Sequence, residues 1–422
     1  MLKFRQMPCQ KIPLFFRRTP ANRFSFPVLL NAIEKQGLEA HFDIRVVDAF
    51  KNLRGDAGPA PIIAFSFMTS HLPEVYREMR SLRRWNGRAV LIAGGPHPTG
   101  DPGGTLRMGF DHVFVGESED SLPKFCRIIA ESGSLPEKRV WTADSPAALD
   151  ESLPFSKIDP FIPPIEITRG CRYGCRFCQT RAQKPVHRSM ESVGRFLDAV
   201  AARNLLFRLG YICPSGFEYG VIRGGQTAVE AIGKLLESSK SRGIRFLEYG
   251  IFPSEVRPNT VGKELLGLVK TFCSNKKITI GAQTGSESLL KSVCRGHTVK
   301  DIENASSLIR DAGFKPQVDF ILGFPGETRN DRAATLDLMK TLTRKYKAWN
   351  QVHYFLPLSG TPLYGSKPEP LDKASIRTLE AFNRGGICSD WWKKGVEQSG
   401  KVVKVMERIG REVTGCELRV TS

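Results

Sequence analysis

The chain has 422 residues, enough for about two to three domains, with 41% hydrophobic and 25% charged residues. These figures exclude a disordered chain, a collagen and a disulfide miniprotein, and no apolar run approaches the roughly 20 residues of a membrane-spanning helix. Lysine and arginine number 62 against 43 acids, a formal net charge of +19, which raises the question of an anionic partner without answering it.

Residues 1–33 carry six basic residues and no acid before Glu34. Pro8, Pro13, Pro20 and Pro27 would break an amphipathic targeting helix. The segment therefore reads as an irregular basic arm. No secretory h-region is evident, so the ten cysteines are expected in a reducing, cytoplasmic setting, where metal binding outranks disulfides.

The fold class is α/β. Residues 34–135 alternate strand and helix, with β-rich runs at 44–47, 62–67, 89–93 and 113–115 and a helical pattern at 73–84. Strands separated by helices imply a doubly wound, Rossmann-like parallel sheet whose ligands bind at the strands' carboxyl ends. A Pro/Ser/Asp-rich linker is expected at 136–160. A second series follows within 161–366, with strands at 165–168, 206–212, 244–249, 278–283, 317–322 and 351–355 and helices such as 228–239 and 299–312. Six β/α units predict a partial barrel with its site at the same end of the strands. Residues 367–422 read as a helical C-terminal region with exposed Trp391 and Trp392.

The strongest chemical signal is Cys171-Arg-Tyr-Gly-Cys175-Arg-Phe-Cys178, just after the first strand of the second series. Three thiolates this close can wrap one inorganic centre, and Gly170 and Gly174 loosen the loop. A cubane cluster needs four ligands, so three cysteines leave one iron open. The alternative is structural zinc, which needs a fourth ligand; His187 is nine residues downstream of Cys178, an awkward spacing. Cys213, Cys273, Cys294, Cys388 and Cys416 are scattered and read as buried apolar residues.

The Cys-x3-Cys-x2-Cys spacing with Phe177 before the last cysteine resembles the signature of the radical S-adenosylmethionine (SAM) superfamily. Gly281-Ala-Gln-Thr-Gly-Ser286, Arg295-Gly-His-Thr298, Phe320-Ile-Leu-Gly-Phe-Pro-Gly-Glu-Thr328 and Leu356-Pro-Leu-Ser-Gly-Thr-Pro-Leu-Tyr364 resemble its later segments, so the likeness covers about 165–365. It implies a 4Fe–4S cluster on Cys171, Cys175 and Cys178 and a SAM site with Phe177, Ser254, Arg257, Gln283, Thr284 and Ser286. Arg257 would hold the SAM carboxylate. His297 reads as a helix-start residue. No catalytic acid–base pair is assigned.

Ile63-Ala-Phe-Ser-Phe-Met-Thr-Ser70, Ala93-Gly-Gly-Pro-His-Pro-Thr99 and Val115-Gly-Glu-Ser-Glu119 form a second resemblance, to the cobalamin-binding domain that precedes many radical SAM domains. It implies cobalamin contacts from Ser66, Thr69, Ser70, His71, Gly94, Gly95, Pro96, His97, Gly116 and Glu117. The Asp-x-His-x-x-Gly motif of other cobalamin proteins is absent, so no histidine is expected on cobalt.

Together the resemblances imply a cobalamin-dependent radical SAM methyltransferase. Its 5′-deoxyadenosyl radical abstracts hydrogen from an unactivated carbon, and methylcobalamin supplies the methyl group. Cyclisation, ring contraction, epimerisation, small-molecule methylation and RNA methylthiolation are the competing outcomes. Arg169, Arg172, Arg176, Arg181, Lys184 and Arg188 crowd the cysteine loop as a phosphate-binding rim would. However, the second three-cysteine cluster of methylthiotransferases is missing, with only Cys9 and Cys126 before Cys171. A protein or peptide substrate is therefore expected, with glutamine of methyl-coenzyme M reductase as the narrowest family-level suggestion. Tyr211, Tyr219 and Tyr354 are candidates to line the mouth. A ferredoxin- or flavodoxin-type reductant is the implied partner, and no membrane is.

Overall fold

The structure is a computed structural model that describes residues 11–49, 60–144, 148–221 and 227–420, with side chains to 411. Residues 1–10 of the basic arm, Cys9 among them, and 145–147 of the expected linker lie outside the described residues, as does the side chain of Cys416. The chain divides into two compact units. The first holds Met1–Pro163, Pro357–Gly365 and Gly400–Ser422; the second holds Pro164–Leu356 and Ser366–Ser399.

The first unit is a six-stranded, all-parallel sheet. Its strands are β1 (Ile12–Arg17), β2 (Phe42–Val47), β3 (Ile62–Ser66), β4 (Val90–Gly94), β5 (His112–Val115) and β6 (Val140–Thr142), in the spatial order β2-β1-β3-β4-β5-β6. Helices α1 (Phe26–Glu34), α2 (Leu72–Trp85), α3 (Pro96–Gly100), α4 (Pro102–Arg107) and α5 (Ser121–Ser132) connect them. Leu14, Phe16, Ile62, Ala64, Val90, Ile92 and Phe114 form a core cluster with Phe26 and Leu30 of α1 and with Leu122, Phe125 and Ile129 of α5. The order reverses between β1 and β3, the kind of switch point where such sheets bind ligands.

Two expectations are corrected here. The arm is not irregular: its residues 12–17 form an interior strand, paired on both sides. Pro13 is tolerated because it sits second in β1, before pairing with β3 begins at Leu14. Pro27 is tolerated in the first turn of α1, where its missing N–H has no intrahelical partner anyway. The stretch expected to be a linker carries a strand of the first unit. It contains β6, whose Trp141 packs its ring on Phe114 and Phe125. Further along, the Asp159 carboxylate takes both bonds from one Arg18 nitrogen at 3.1 Å.

The second unit holds β7 (Ile165–Glu166), β8 (Thr168–Arg169), β9 (Val186–His187), β10 (Arg208–Leu209), β11 (Tyr211–Ile212), β12 (Phe246–Leu247), β13 (Lys277–Gln283), β14 (Lys315–Leu322) and β15 (Trp349–Tyr354). β7 pairs with β11, β10 with β12, and β13, β14 and β15 in turn, all parallel; a parallel bridge from Val256 to Ile280 links the third stretch to the fourth. The six expected strand stretches thus neighbour one another in chain order, as in a (β/α)6 partial barrel, with short ladders in the first three.

Its helices are α6 (Met190–Ala202), α7 (Ala228–Ser241), α8 (Lys263–Phe272), α9 (Glu287–Ser292), α10 (Val299–Asp311), α11 (Arg329–Tyr346), α12 (Lys373–Arg384) and α13 (Trp391–Val420), the last running on past this unit. Three of them start on capping boxes readable in the sequence: Thr227 with Glu230, Thr298 with Asp301 and Thr328 with Asp331. Of the tryptophan pair expected to be exposed, Trp391 is, and Trp392 is buried. No helix among the described residues is long and apolar enough to cross a membrane.

Candidate functional site

In the second unit a cavity of about 200 Å³ is lined by Cys171, Tyr173, Cys175, Phe177, Cys178, Arg181, Glu255, Arg257, Gly281, Gln283, Arg295 and Asp319, among others. The cysteine loop that forms one wall is a tight wrap. Cys178 N–H donates to Cys175 O at 3.1 Å, and Ala182 and Gln183 N–H donate back to Tyr173 O and Cys171 O at 2.8 and 2.9 Å. Gly170 enters it at φ +84°, and a Cβ there would meet Lys184 O at 2.9 Å. The three thiols are free, and Cys171 and Cys178 are only half-buried.

Two arginines converge on the third thiol. Arg257 Nη1 and Arg295 Nη1 lie 3.6 and 3.4 Å from Cys175 Sγ. Burial pushes the Cys175 thiol up, but Arg295 and Arg257 outweigh it and its pKa falls below the ordinary value. Burial raises the Cys171 thiol, the larger effect there. Arg257 lies 3.5 Å above the centre of the Tyr173 ring, a close cation–π stack. Arg295 Nη2 donates to Gly281 O at 2.7 Å. At 4% and 8% exposure both guanidiniums are desolvated, yet the Nε–H of each has no acceptor. Burial lowers the Arg295 pKa.

Asp319 and Glu255 add carboxylates to the same cavity. On β14 the residues alternate: Val318, Phe320 and Leu322 are fully buried, whereas Gln317, Asp319 and Ile321 are partly buried on the opposite face. Burial, reinforced by the charge of Glu255, raises the Asp319 pKa to about 7, and Asp319 Oδ1 has no partner. Burial also raises Glu255. Gln283 sits at a bulge in β13 with φ +75°, a costly conformation for a residue with a Cβ, and lines the cavity. The Phe177 ring packs on Phe324 at 5.5 Å, giving the wall an apolar patch.

Not every expected residue reaches the cavity. Ser254 Oγ donates to Ile251 O and accepts from Gly250 N–H, so it closes its own turn. Thr284 is fully buried against the Thr335 hydroxyl at 2.9 Å. Ser286 caps α9 and bonds to Asp331. These hydroxyls are spent on local structure. The tyrosines are core or strut residues: Tyr211 OH meets Ser239, Tyr219 OH donates to Arg188 O at 2.8 Å, and Tyr354 OH donates to Glu369 O at 2.9 Å. The basic rim is thinner than expected, since Arg169 pairs with Glu166 and Arg188 is buried with its Nε–H on Glu166 O. Of the scattered cysteines, Cys213 and Cys388 are buried, Cys273 is partly so, and Cys294 is exposed. His297 lies buried one residue before the cap of α10, and burial lowers its pKa to about 3.

In the first unit the loops after β3, β4 and β5 are tied together. Phe67 N–H donates to Gly94 O at 3.2 Å, His97 N–H to Phe67 O at 3.1 Å, and Gly116 N–H to Thr99 Oγ1 at 3.0 Å. Gly95 takes φ +95°, and a Cβ there would lie 2.9 Å from Ser66 Oγ. It leads into α3, whose His97 N–H reaches the β3 loop. Thr69 is fully buried; its hydroxyl meets His97 Nδ1 at 3.0 Å, and Ser359 N–H donates to it at 3.2 Å. Ser359 Oγ donates to His97 O at 3.0 Å. Burial lowers the His97 pKa to about 4, so the ring is neutral and enclosed. His71 is partly buried, with Nδ1 3.2 Å from Ser70 Oγ. Ser66 is buried, while Gly94 and Glu117 keep partial exposure and Gly116 is exposed at the strand ends.

The family model of the radical SAM superfamily matches residues 165–339, and that of the B12 binding domain matches 31–125. The chain joins a B12-binding domain to a radical SAM domain. Its cofactors are accordingly a 4Fe–4S cluster and SAM in the second unit and cobalamin in the first. The donor set fits the cluster: three free thiols line one cavity. The glycine-lined loops fit a large ligand lying close to backbone.

Curated relatives are distant. An uncharacterised Methanocaldococcus jannaschii protein is 25% identical over 73% of this chain and 69% of its own. The threonylcarbamoyladenosine tRNA methylthiotransferase of Aquifex aeolicus is 23% identical over 72% of this chain and 73% of its own. A Methanopyrus kandleri protein is matched over 64% of its length, so the chain spans about two thirds of these relatives. Among solved structures, the Kitasatospora setae radical SAM methyltransferase TsrM, with cobalamin and a 4Fe–4S cluster bound, superposes with TM-score 0.61 at 16% identity, over 84% of this chain and 77% of that one. The cobalamin-dependent radical enzyme OxsB gives 0.59 at 15%, over 90% and 62%. At these identities the likeness speaks for the fold.

Arg295, Tyr173, Glu255 and Asp319 are site residues the sequence reading missed. A lone aspartate in the apolar run Val318-Asp-Phe-Ile-Leu322 was the available signal, since an unpaired buried carboxylate is costly without a role.

Proposed function

We propose that this radical SAM enzyme is a C-methyltransferase acting on an unactivated carbon of a protein or peptide. Glutamine of methyl-coenzyme M reductase is the narrowest form of the proposal. The observation that carries the methyltransferase reading is the pairing, in one chain, of a cobalamin domain with a cavity walled by three thiols and two buried arginines. When bound, the cluster supplies the electron that cleaves SAM, and cobalamin carries the methyl group.

This chain's residues divide the remaining work. Cys171, Cys175 and Cys178 hold the cluster. Arg295 and Arg257 lower the Cys175 thiol pKa below its ordinary value and offer unpaired Nε–H donors to a carboxylate. Phe177, backed by Phe324, offers an apolar face for an adenine. Asp319 and Glu255 provide acceptors for a donor group of cofactor or substrate. The buried ring of His97, held by Thr69, is withheld from cobalt.

RNA methylthiolation is the second reading, favoured by the match to the Aquifex tRNA methylthiotransferase. Gene deletion followed by mass spectrometry of peptides, tRNA nucleosides and metabolites separates the two. Loss of a carbon-bound methyl in a protein supports the proposal. An unchanged proteome with a lost tRNA modification replaces it by the second reading.

A further inference from the structure

We infer that Glu218 is a positioning residue for the cluster site: it tethers the Tyr173 ring, the ring holds Arg257, and Arg257 donates to the Cys175 sulfur. The inference rests on the radical SAM reading and concerns how this chain sets the potential of its own cluster.

The relay starts outside the cofactor cavity. Tyr173 and Cys171 line both that cavity and a second one of about 40 Å³, whereas Glu218 lines only the second. Glu218 Oε1 accepts the Tyr173 O–H at 2.9 Å and also accepts from Arg172 Nη2, while its Oε2 accepts from Ser215 Oγ. With both oxygens engaged and the side chain only 13% exposed, the carboxylate is held in one orientation. The turn that carries it is equally constrained. Gly216 N–H donates to Glu255 O at 2.9 Å, Gly216 O accepts from the buried Tyr249 hydroxyl, and a Cβ on Gly216 would lie 2.2 Å from Ser254 O. The fold therefore fixes Glu218, and Glu218 fixes the outer end of the Tyr173 side chain.

The ring is in turn the platform for Arg257, whose guanidinium carbon lies 3.5 Å from the ring centre. Among the described residues Arg257 has no carboxylate partner. It donates through Nη2 to Arg295 O and through Nη1 to Cys175 Sγ at 3.6 Å. A buried cation held by one ring, one carbonyl and one sulfur moves when its ring moves. A cationic N–H donor on a cluster sulfur favours the more negative, reduced state and so raises the reduction potential. Glu218 thus reaches the potential without touching the cluster.

The test uses the full chain reconstituted with iron and sulfide, and SAM as the probe. Tyr173→Phe keeps the ring but cuts the tether. Redox titration followed by electron paramagnetic resonance should show the equilibrium constant for cluster reduction about tenfold lower, a downward shift of about 59 mV for one electron. Glu218→Gln keeps an acceptor for the Tyr173 hydroxyl and removes a negative charge, so its potential should hold or rise. A role in folding alone would move neither potential once cluster content matches wild type. In equilibrium binding, Glu218→Ala and Tyr173→Phe should each weaken SAM affinity about tenfold, and the double variant should lose no more than either. An unchanged or raised potential in Tyr173→Phe overturns the inference, as do an equal fall in Glu218→Gln, additive losses of SAM affinity, or loss of the cluster in Tyr173→Phe. If the wild-type cluster signal is indifferent to SAM, the radical SAM reading itself falls.

Discussion

The two strand-end regions treat their buried polar groups in opposite ways. In the first unit His97 is enclosed but partnered, bonded through Nδ1 to Thr69 and through its carbonyl to Ser359. In the second, Asp319 Oδ1, Arg257 Nε and Arg295 Nε line a cavity and have no partners. A satisfied network holds backbone in a fixed shape for a ligand that lies against it. Orphaned groups are tolerated where a ligand will supply the missing bonds. The first region is a preformed cradle, and the second is a site whose electrostatics are completed only on loading.

The largest expected effect separates the regions outright. Replacing Cys171, Cys175 and Cys178 by Ala should abolish iron–sulfur absorbance and 5′-deoxyadenosine formation while leaving cobalamin binding at the wild-type level. Retained 5′-deoxyadenosine would remove the thiols from the site.

The pH dependence of the apoprotein should sharpen the contrast. Asp319 has a folded pKa raised from 3.8 to about 7, so the stability tied to its protonated form is complete below pH 4 and lost as pH rises through 7. Asp319→Asn should therefore stabilise the apoprotein at pH 8, by at most about 4 kcal/mol in urea unfolding, and leave it unchanged near pH 4. His97 has its pKa lowered from 6.5 to about 4, so its contribution is present above pH 6.5 and lost as pH falls through 4. His97→Gln should flatten that acid limb, which is worth at most about 3 kcal/mol in wild type. If the two variants shift stability with the same pH sense, the contrast fails.

A pair of glycines gives the smallest and most local test. Gly95 and Gly116 both have positive φ, but a Cβ at Gly95 would meet Ser66 Oγ and the Phe67 backbone, whereas at Gly116 nothing lies within 4 Å. Gly116→Ala should cost about 1 kcal/mol from backbone conformation alone. Gly95→Ala should cost roughly 2–3 kcal/mol and weaken cobalamin binding. Equal losses would mean that the close approach at Gly95 is not a constraint.

Much of this was legible in the sequence because periodicity and spacing are local. The strands at 278–283 and 317–322 end in glycine-containing turns and appear within a few residues of their expected bounds. The cysteine wrap was marked by its own spacing. β1 was hidden because a proline and flanking arginines make Ile-Pro-Leu-Phe-Phe-Arg look like an arm, and only the sheet shows that Leu14 and Phe16 are core. β6 is three residues long within a polar stretch. That the hydroxyls of Ser254, Thr284 and Ser286 bond to neighbouring protein groups was not legible, because a hydroxyl near a motif reads the same whether it meets a ligand or caps a turn. Arg295 and Asp319 were missed for the converse reason: their convergence with Cys175 and Glu255 is created by the barrel, across sequence separations no local pattern reports.

The central claim, that one chain holds a cluster with an open iron and a cobalamin free of histidine ligation, is tested most directly by a single electron paramagnetic resonance experiment. The full chain is reconstituted anaerobically with iron, sulfide and hydroxocobalamin, then reduced and titrated with SAM. The account predicts a reduced 4Fe–4S signal whose g-values move when SAM is added, beside a cob(II)alamin signal without nitrogen splitting. A cluster signal indifferent to SAM, or a nitrogen pattern that vanishes in His71→Ala or His97→Ala, would contradict it.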